Sequence, residues 1–76
     1  MRILVVDDEP SARKAIGRAL RHLGHDVVAE ATSSGEALAR DRDQHPDLVT
    51  LDIGLPGGGA QQVAEQLAEE HHVPVV

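Results

Sequence analysis

The stretch Ile3-Leu4-Val5-Val6-Asp7-Asp8-Glu9-Pro10 holds the key to the fold. Four consecutive apolar residues without a polar partner are what a strand buried on both faces of a parallel sheet requires. The run then turns acidic at once, and Pro10 suits the first turn of a helix, where its missing N–H is not needed. The stretch therefore reads as strand, acidic turn, helix. Outward from it, Ala12, Ala15, Ile16, Ala19, Leu20 and Leu23 recur at spacings of three and four. This predicts an amphipathic helix with these residues inward, its basic side chains Arg13, Lys14, Arg18 and Arg21 on a solvated outer face, and Gly24 as its stop.

The unit repeats. Val27 to Ala29 reads as a second strand. Ser33-Ser34-Gly35-Glu36 has the spacing of a capping box and opens a short helix through Ala37 and Leu38 to about Arg40. After a turn at His45-Pro46-Asp47, Leu48-Val49-Thr50-Leu51 makes a third strand running into Asp52. Gly54, Pro56, Gly57, Gly58 and Gly59 form a loop with little local stiffness. A third helix carries Ala60, Val63, Ala64, Leu67 and Ala68 on one face and ends near Glu70 to His72. Val73-Pro74-Val75-Val76 begins a fourth strand. Strands alternating with helices imply an α/β fold with right-handed crossovers, a parallel sheet, and helices on both faces. Sites in such sheets lie beyond the carboxyl ends of the strands.

Composition narrows the function. The chain has 76 residues, 41% apolar and 26% charged, with no Cys, Phe, Trp or Tyr. That is one small domain whose core must be aliphatic, with neither disulfide nor thiolate metal site. A net charge of −6 argues against direct nucleic-acid binding, which needs a basic footprint. No apolar run approaches the roughly 18–20 residues of a membrane span. The apolar start is too short for a signal peptide, so the expected compartment is cytoplasmic.

The chemistry gathers at strand ends. Asp7 and Asp8 follow the first strand and Asp52 ends the third; if those strands are neighbours, three carboxylates share one rim. Like charges in a poorly solvated site repel, and a hard divalent cation resolves the conflict. Magnesium suits one or two carboxylates together with water and phosphate oxygens, and can steer a phosphoryl group onto a carboxylate left free to attack. His71 and His72, beside Glu69 and Glu70, are adjacent on a helix and point apart, which suits a solvated terminus better than a zinc site. No Ser or Cys stands at a strand–helix turn, so a nucleophilic triad is not supported.

Val5-Val6-Asp7-Asp8-Glu9 and Leu48-Val49-Thr50-Leu51-Asp52-Ile53-Gly54-Leu55-Pro56, about 45 residues apart, resemble the receiver domain of two-component response regulators. The resemblance covers the whole chain. It implies a flavodoxin-like fold of strand order 2-1-3-4-5, which this chain follows into the fourth strand, with the fifth strand and last two helices absent. It also implies Asp52 as the phosphoacceptor, charged by a histidine kinase or phosphotransfer protein. Mg2+ would be held by Asp7, Asp8 and Asp52, with Asp8 ahead of Asp7 as direct ligand, and by the backbone carbonyl of Gly54. Apart from its own phosphorylation and dephosphorylation, no enzymatic turnover is implied.

The chain departs from that pattern in three places. The family's Ser or Thr at the end of the fourth strand and Lys after the fifth fall beyond Val76. Lys14, on a helix outer face, and Thr50, within a strand, do not replace them. The family usually has a polar residue and then Gly where this chain has Gly59 and Ala60, and the glycine run reads as a loosened turn rather than a phosphate-binding loop. These departures keep a rival open: an unphosphorylated receiver-like interaction or dimerisation module, self-associating through an exposed sheet edge.

Overall fold

A computed structural model describes residues 1–55 and 59–71, the last two by their backbone alone. Strands β1 (Arg2–Val6), β2 (Asp26–Ala31) and β3 (Leu48–Leu51) alternate with helices α1 (Pro10–His22), α2 (Ser34–Gln44) and α3 (Ala60–His71). The sheet is parallel, in the order β2-β1-β3. The fourth strand expected at Val73–Val76, and the loop residues Pro56, Gly57 and Gly58, lie outside the described residues.

β1 is central because its sequence allows nothing else. Ile3, Leu4, Val5 and Val6 are each at most 1% exposed, and both of the strand's edges are hydrogen-bonded. Alternation along the strand then sorts the core. Leu4 and Val6 face the same way as their partners Val49 and Leu51. They pack with Ala31, Ala37, Leu55, Ala60, Val63 and Leu67, forming the main core between the sheet and helices α2 and α3. Ile3 and Val5 face the other layer, where α1 lies against β1 and β2.

The helix ends follow local chemistry. Pro10 fixes the first helical residue of α1, so Glu9 becomes its N-cap, accepting the Ala12 N–H at 2.8 Å. That backbone bond holds the Glu9 carboxyl below the usual range. At the other end Gly24, at φ 90°, donates to Arg21 O and His25 donates to Leu20 O, the paired bonds of a Schellman stop. Ser33 caps α2 by accepting from Glu36 N–H at 3.2 Å. The Glu36 side chain does not close the box on Ser33. It accepts instead from the backbone N–H and hydroxyl of Thr32, at 2.7 and 2.8 Å, which lowers its pKa.

Three boundaries and one helix face differ from the sequence expectation. β2 extends to Asp26 and Ala31, with Val28 bulged out between Ile3 and Leu4 in the register. The acidic ends Asp26 and Glu30 hid this length, and Glu30 is accommodated by an ion pair to Arg13. α2 runs on to Gln44, because Asp41 is buried one turn after Ala37 and extends the inward face through a polar run. His45 ends it in the left-handed conformation, at φ 46°.

α1 is rotated relative to the expected face. Gly17 is buried and Ala12, Arg13, Ile16 and Leu20 are half-buried, whereas Ala15 and Ala19 are exposed and Leu23 is 71% exposed. Alanines at three positions of the pattern leave the helix azimuth weakly specified, and the observed face turns Arg13 toward Asp7 O and Glu30. No described helix is long and apolar enough to cross a membrane.

Candidate metal centre

The acidic rim forms where β1 and β3 end side by side. Asp52 N–H donates to Val6 O at 3.0 Å, continuing the ladder one step past β3. Asp7 N–H donates to Ala31 O at 3.0 Å, doing the same on the β2 side. The strand pairing therefore carries both aspartates to one edge. Asp7, Asp8 and Asp52 each offer a carboxylate oxygen, and these oxygens lie within 4.8 Å of one another. All three aspartates named from the sequence are thus brought together, and among the described residues they form a group able to hold a metal ion.

Their environments differ. Asp7 is 7% exposed, and its Oδ1 accepts the Glu9 N–H at 2.9 Å. Asp8 is exposed, and the N-cap of α1 is its neighbour Glu9. Asp52 is half-buried, with Oδ1 accepting the Gly54 N–H at 2.9 Å, which leaves Oδ2 outside that bond. Gly54 stays close to this carboxylate: a Cβ there would lie 3.4 Å from Oδ1 and 3.7 Å from Oδ2. Its backbone is thus placed beside Asp52, within ordinary contact of the carboxylate.

Carboxylates this close repel by about 1 kcal/mol per pair in water and about 4 kcal/mol at a partly buried surface. Asp7 and Asp52 each anchor a backbone N–H of the adjoining turn, whereas among the described residues Asp8 caps no helix. An oxygen-only donor set with one reachable and two partly shielded carboxylates fits a hard divalent cation of the magnesium type. An open groove of about 340 Å³ adjoins the rim, lined by Val6, Asp7, Ile16, Thr50, Leu51, Asp52 and Ile53. Thr50 Oγ1 is buried there without a hydrogen-bond partner among the described residues.

Two contributions were not evident from sequence. Arg13, expected on a solvated face, donates from Nη1 to Asp7 O at 2.9 Å and from Nε to Glu30 Oε1 at 3.0 Å. Its available signal was a basic residue one turn after the acidic run with an acid late in the next strand. Gly59, expected in a loosened turn, is closely packed instead: a Cβ there would collide with Ser34 Oγ, and Gly59 O accepts from Val63 N–H at 2.9 Å.

The family model for the response regulator receiver domain matches residues 3–76. The positive alginate biosynthesis regulatory protein of Pseudomonas aeruginosa is 42% identical over 78 residues, which cover all of this chain and 32% of that protein. Protein PilH of the same species is 37% identical, over 99% of this chain and 64% of its own length. The signal receiver domain of a modulated diguanylate cyclase from Desulfovibrio desulfuricans superposes with a TM-score of 0.92 at 29% identity, over 99% of this chain and 61% of that one. The chain spans about a third of the length of the first curated relatives it matches. With the family model matching from β1 to the end of the sequence, and a close superposition on a solved receiver domain, the chain belongs to the response regulator receiver domain family.

Proposed function

We propose that Asp52 is the phosphoacceptor of this receiver domain, and that Asp7, Asp8, Asp52 and the Gly54 carbonyl hold the Mg2+ that assists it. The observation that carries this reading is the convergence of three carboxylate oxygens within 4.8 Å from the ends of two neighbouring strands. The donor is a phosphohistidine on a sensor kinase or phosphotransfer protein, met in the cytoplasm. An Asp52 oxygen attacks phosphorus, an O–P bond forms, and the N–P bond breaks. The electron pair returns to the imidazole, which water reprotonates, leaving an acyl phosphate on Asp52. With Oδ1 fixed by Gly54 N–H, Oδ2 is the oxygen presented for attack.

When bound, Mg2+ supplies charge neutralisation for the incoming phosphoryl oxygens. The chain's own residues orient the nucleophile: the ladder bond to Val6 fixes the Asp52 backbone, and Gly54 fixes its carboxylate. Chemistry is confined to this one carboxylate and its later hydrolysis, so the module is a phosphoacceptor rather than a turnover enzyme. Beryllofluoride with millimolar Mg2+ tests the reading, since it forms a tetrahedral phosphoryl mimic on a free carboxylate. Amide signals of Asp7, Asp8, Asp52 and Gly54 are expected to shift together in a 15N spectrum. A spectrum unchanged by both reagents overturns the proposal.

A further inference from the structure

The Asp7 backbone is held from three directions. Its N–H donates to Ala31 O, its carboxylate Oδ1 accepts the Glu9 N–H, and its carbonyl accepts Nη1 of Arg13. The third bond comes from a side chain that is only 18% exposed and whose Nε is itself fixed by Glu30 of β2. One planar guanidinium thus ties the first turn of α1, the end of β1 and the late part of β2 to one another. Asp8 lies within that tie, between Asp7 and the Glu9 cap. It is the exposed member of the acidic group and makes no cap of its own, so the backbone on either side sets where its carboxylate points.

We infer that Arg13 is a positioning residue of the acidic site: its fork between Asp7 O and Glu30 fixes the β1–α1 turn and so sets the affinity for a divalent cation. This rests on the metal site proposed above. Groups that orient ligands from behind change metal affinity by about 10- to 100-fold when removed. A point charge on a flexible stem does not reproduce a planar fork that bonds two acceptors. Arg13 is also a cation beside a cation site, so its charge acts against its geometry. The sign of the effect separates the two. If positioning dominates, removing Arg13 weakens metal binding; if charge dominates, removing it strengthens binding.

The test is Mg2+ titration followed by amide shifts, in the unaltered chain and in Arg13→Gln, Arg13→Lys and Lys14→Gln. Lys14 is exposed one position along α1 and serves as the charge control. Both Arg13 variants are expected to bind Mg2+ about tenfold more weakly, and Lys14→Gln to match the unaltered chain. Without any metal, the Asp7, Asp8 and Glu9 amides should broaden or move in the Arg13 variants while the β3 amides stay in place. Equal or tighter Mg2+ binding by folded Arg13→Gln overturns the inference. So does unchanged binding by Arg13→Lys, which keeps the charge and stem and serves alone if the Gln variant does not fold. If the unaltered chain shows no Mg2+ binding, the metal site itself is wrong and this role falls with it. Weakening confined to the Arg13 variants supports both.

Discussion

Asp52→Asn takes up no phosphoryl group from a small donor such as phosphoramidate in the presence of Mg2+, with uptake followed by intact mass. The rate falls by about a thousandfold or more, the scale seen when a nucleophile is removed from a preorganised site. The carboxamide keeps the size of the side chain and an oxygen able to accept the Gly54 N–H, so the loop bond at 2.9 Å survives. What disappears is the anionic oxygen that attacks phosphorus, together with one of three carboxylates around the cation. The same variant is expected to fold at least as well as the parent without Mg2+, because one charge is removed from a group packed within 4.8 Å. The gain should be on the order of 1 kcal/mol. Loss of uptake together with loss of thermal stability would instead indicate a damaged fold, and retained uptake would place the phosphoryl group elsewhere.

Leu4→Ala is expected to cost about 3 kcal/mol of folding free energy, within the range of roughly 2–5 kcal/mol for a leucine removed from a core. Leu4 is 0% exposed on the central strand, paired with Ala29 on one side and Val49 on the other. No aromatic side chain is present to spread over the resulting cavity. At about 0.05–0.15 kcal/mol per residue a chain of this length has only roughly 4–11 kcal/mol in all. One deletion at Leu4 therefore removes a large share of its stability. Leu23→Ala provides the contrast: that side chain is 71% exposed, and its loss should stay within about 0.5 kcal/mol. Urea unfolding of both variants checks the pair. A Leu4→Ala cost near that of Leu23→Ala would contradict the core assigned here.

These outcomes depend on features of unequal visibility in the sequence. The unbroken run Ile3 to Val6 identified a strand covered on both faces, and that alone places it centrally. Once β1 is central and β3 its neighbour, Asp7, Asp8 and Asp52 have to meet, so the acidic group was legible from two strand ends. Gly24 and Ser33 were equally legible, because a positive φ and an orphan N–H each favour few residue types. The face of α1 was not. Ala12, Ala15 and Ala19 give nearly equal gain on any side of a helix, and Arg13 turns inward to acceptors at Asp7, just past β1, and at Glu30 of β2. The cap at Glu9 has a similarly local cause: Pro10 sets the first helical residue and hence the cap before it. The length of β2 was hidden because Glu30 is charged, and its place in this edge strand becomes readable only with its partner Arg13 in view. Sequence periodicity reports burial, whereas a side chain that bridges elements reports geometry that has not yet formed.

The proposed reaction places a phosphoryl group on Asp52 of this receiver domain with help from a cation held at the acidic rim. The most direct measurement is to incubate the chain with phosphoramidate with and without Mg2+, trap any acyl phosphate by borohydride reduction, and map the modified residue by peptide mass spectrometry. A single phosphoryl group is expected, dependent on Mg2+ and trapped at Asp52. No uptake at saturating Mg2+, or trapping at any other residue, would contradict it.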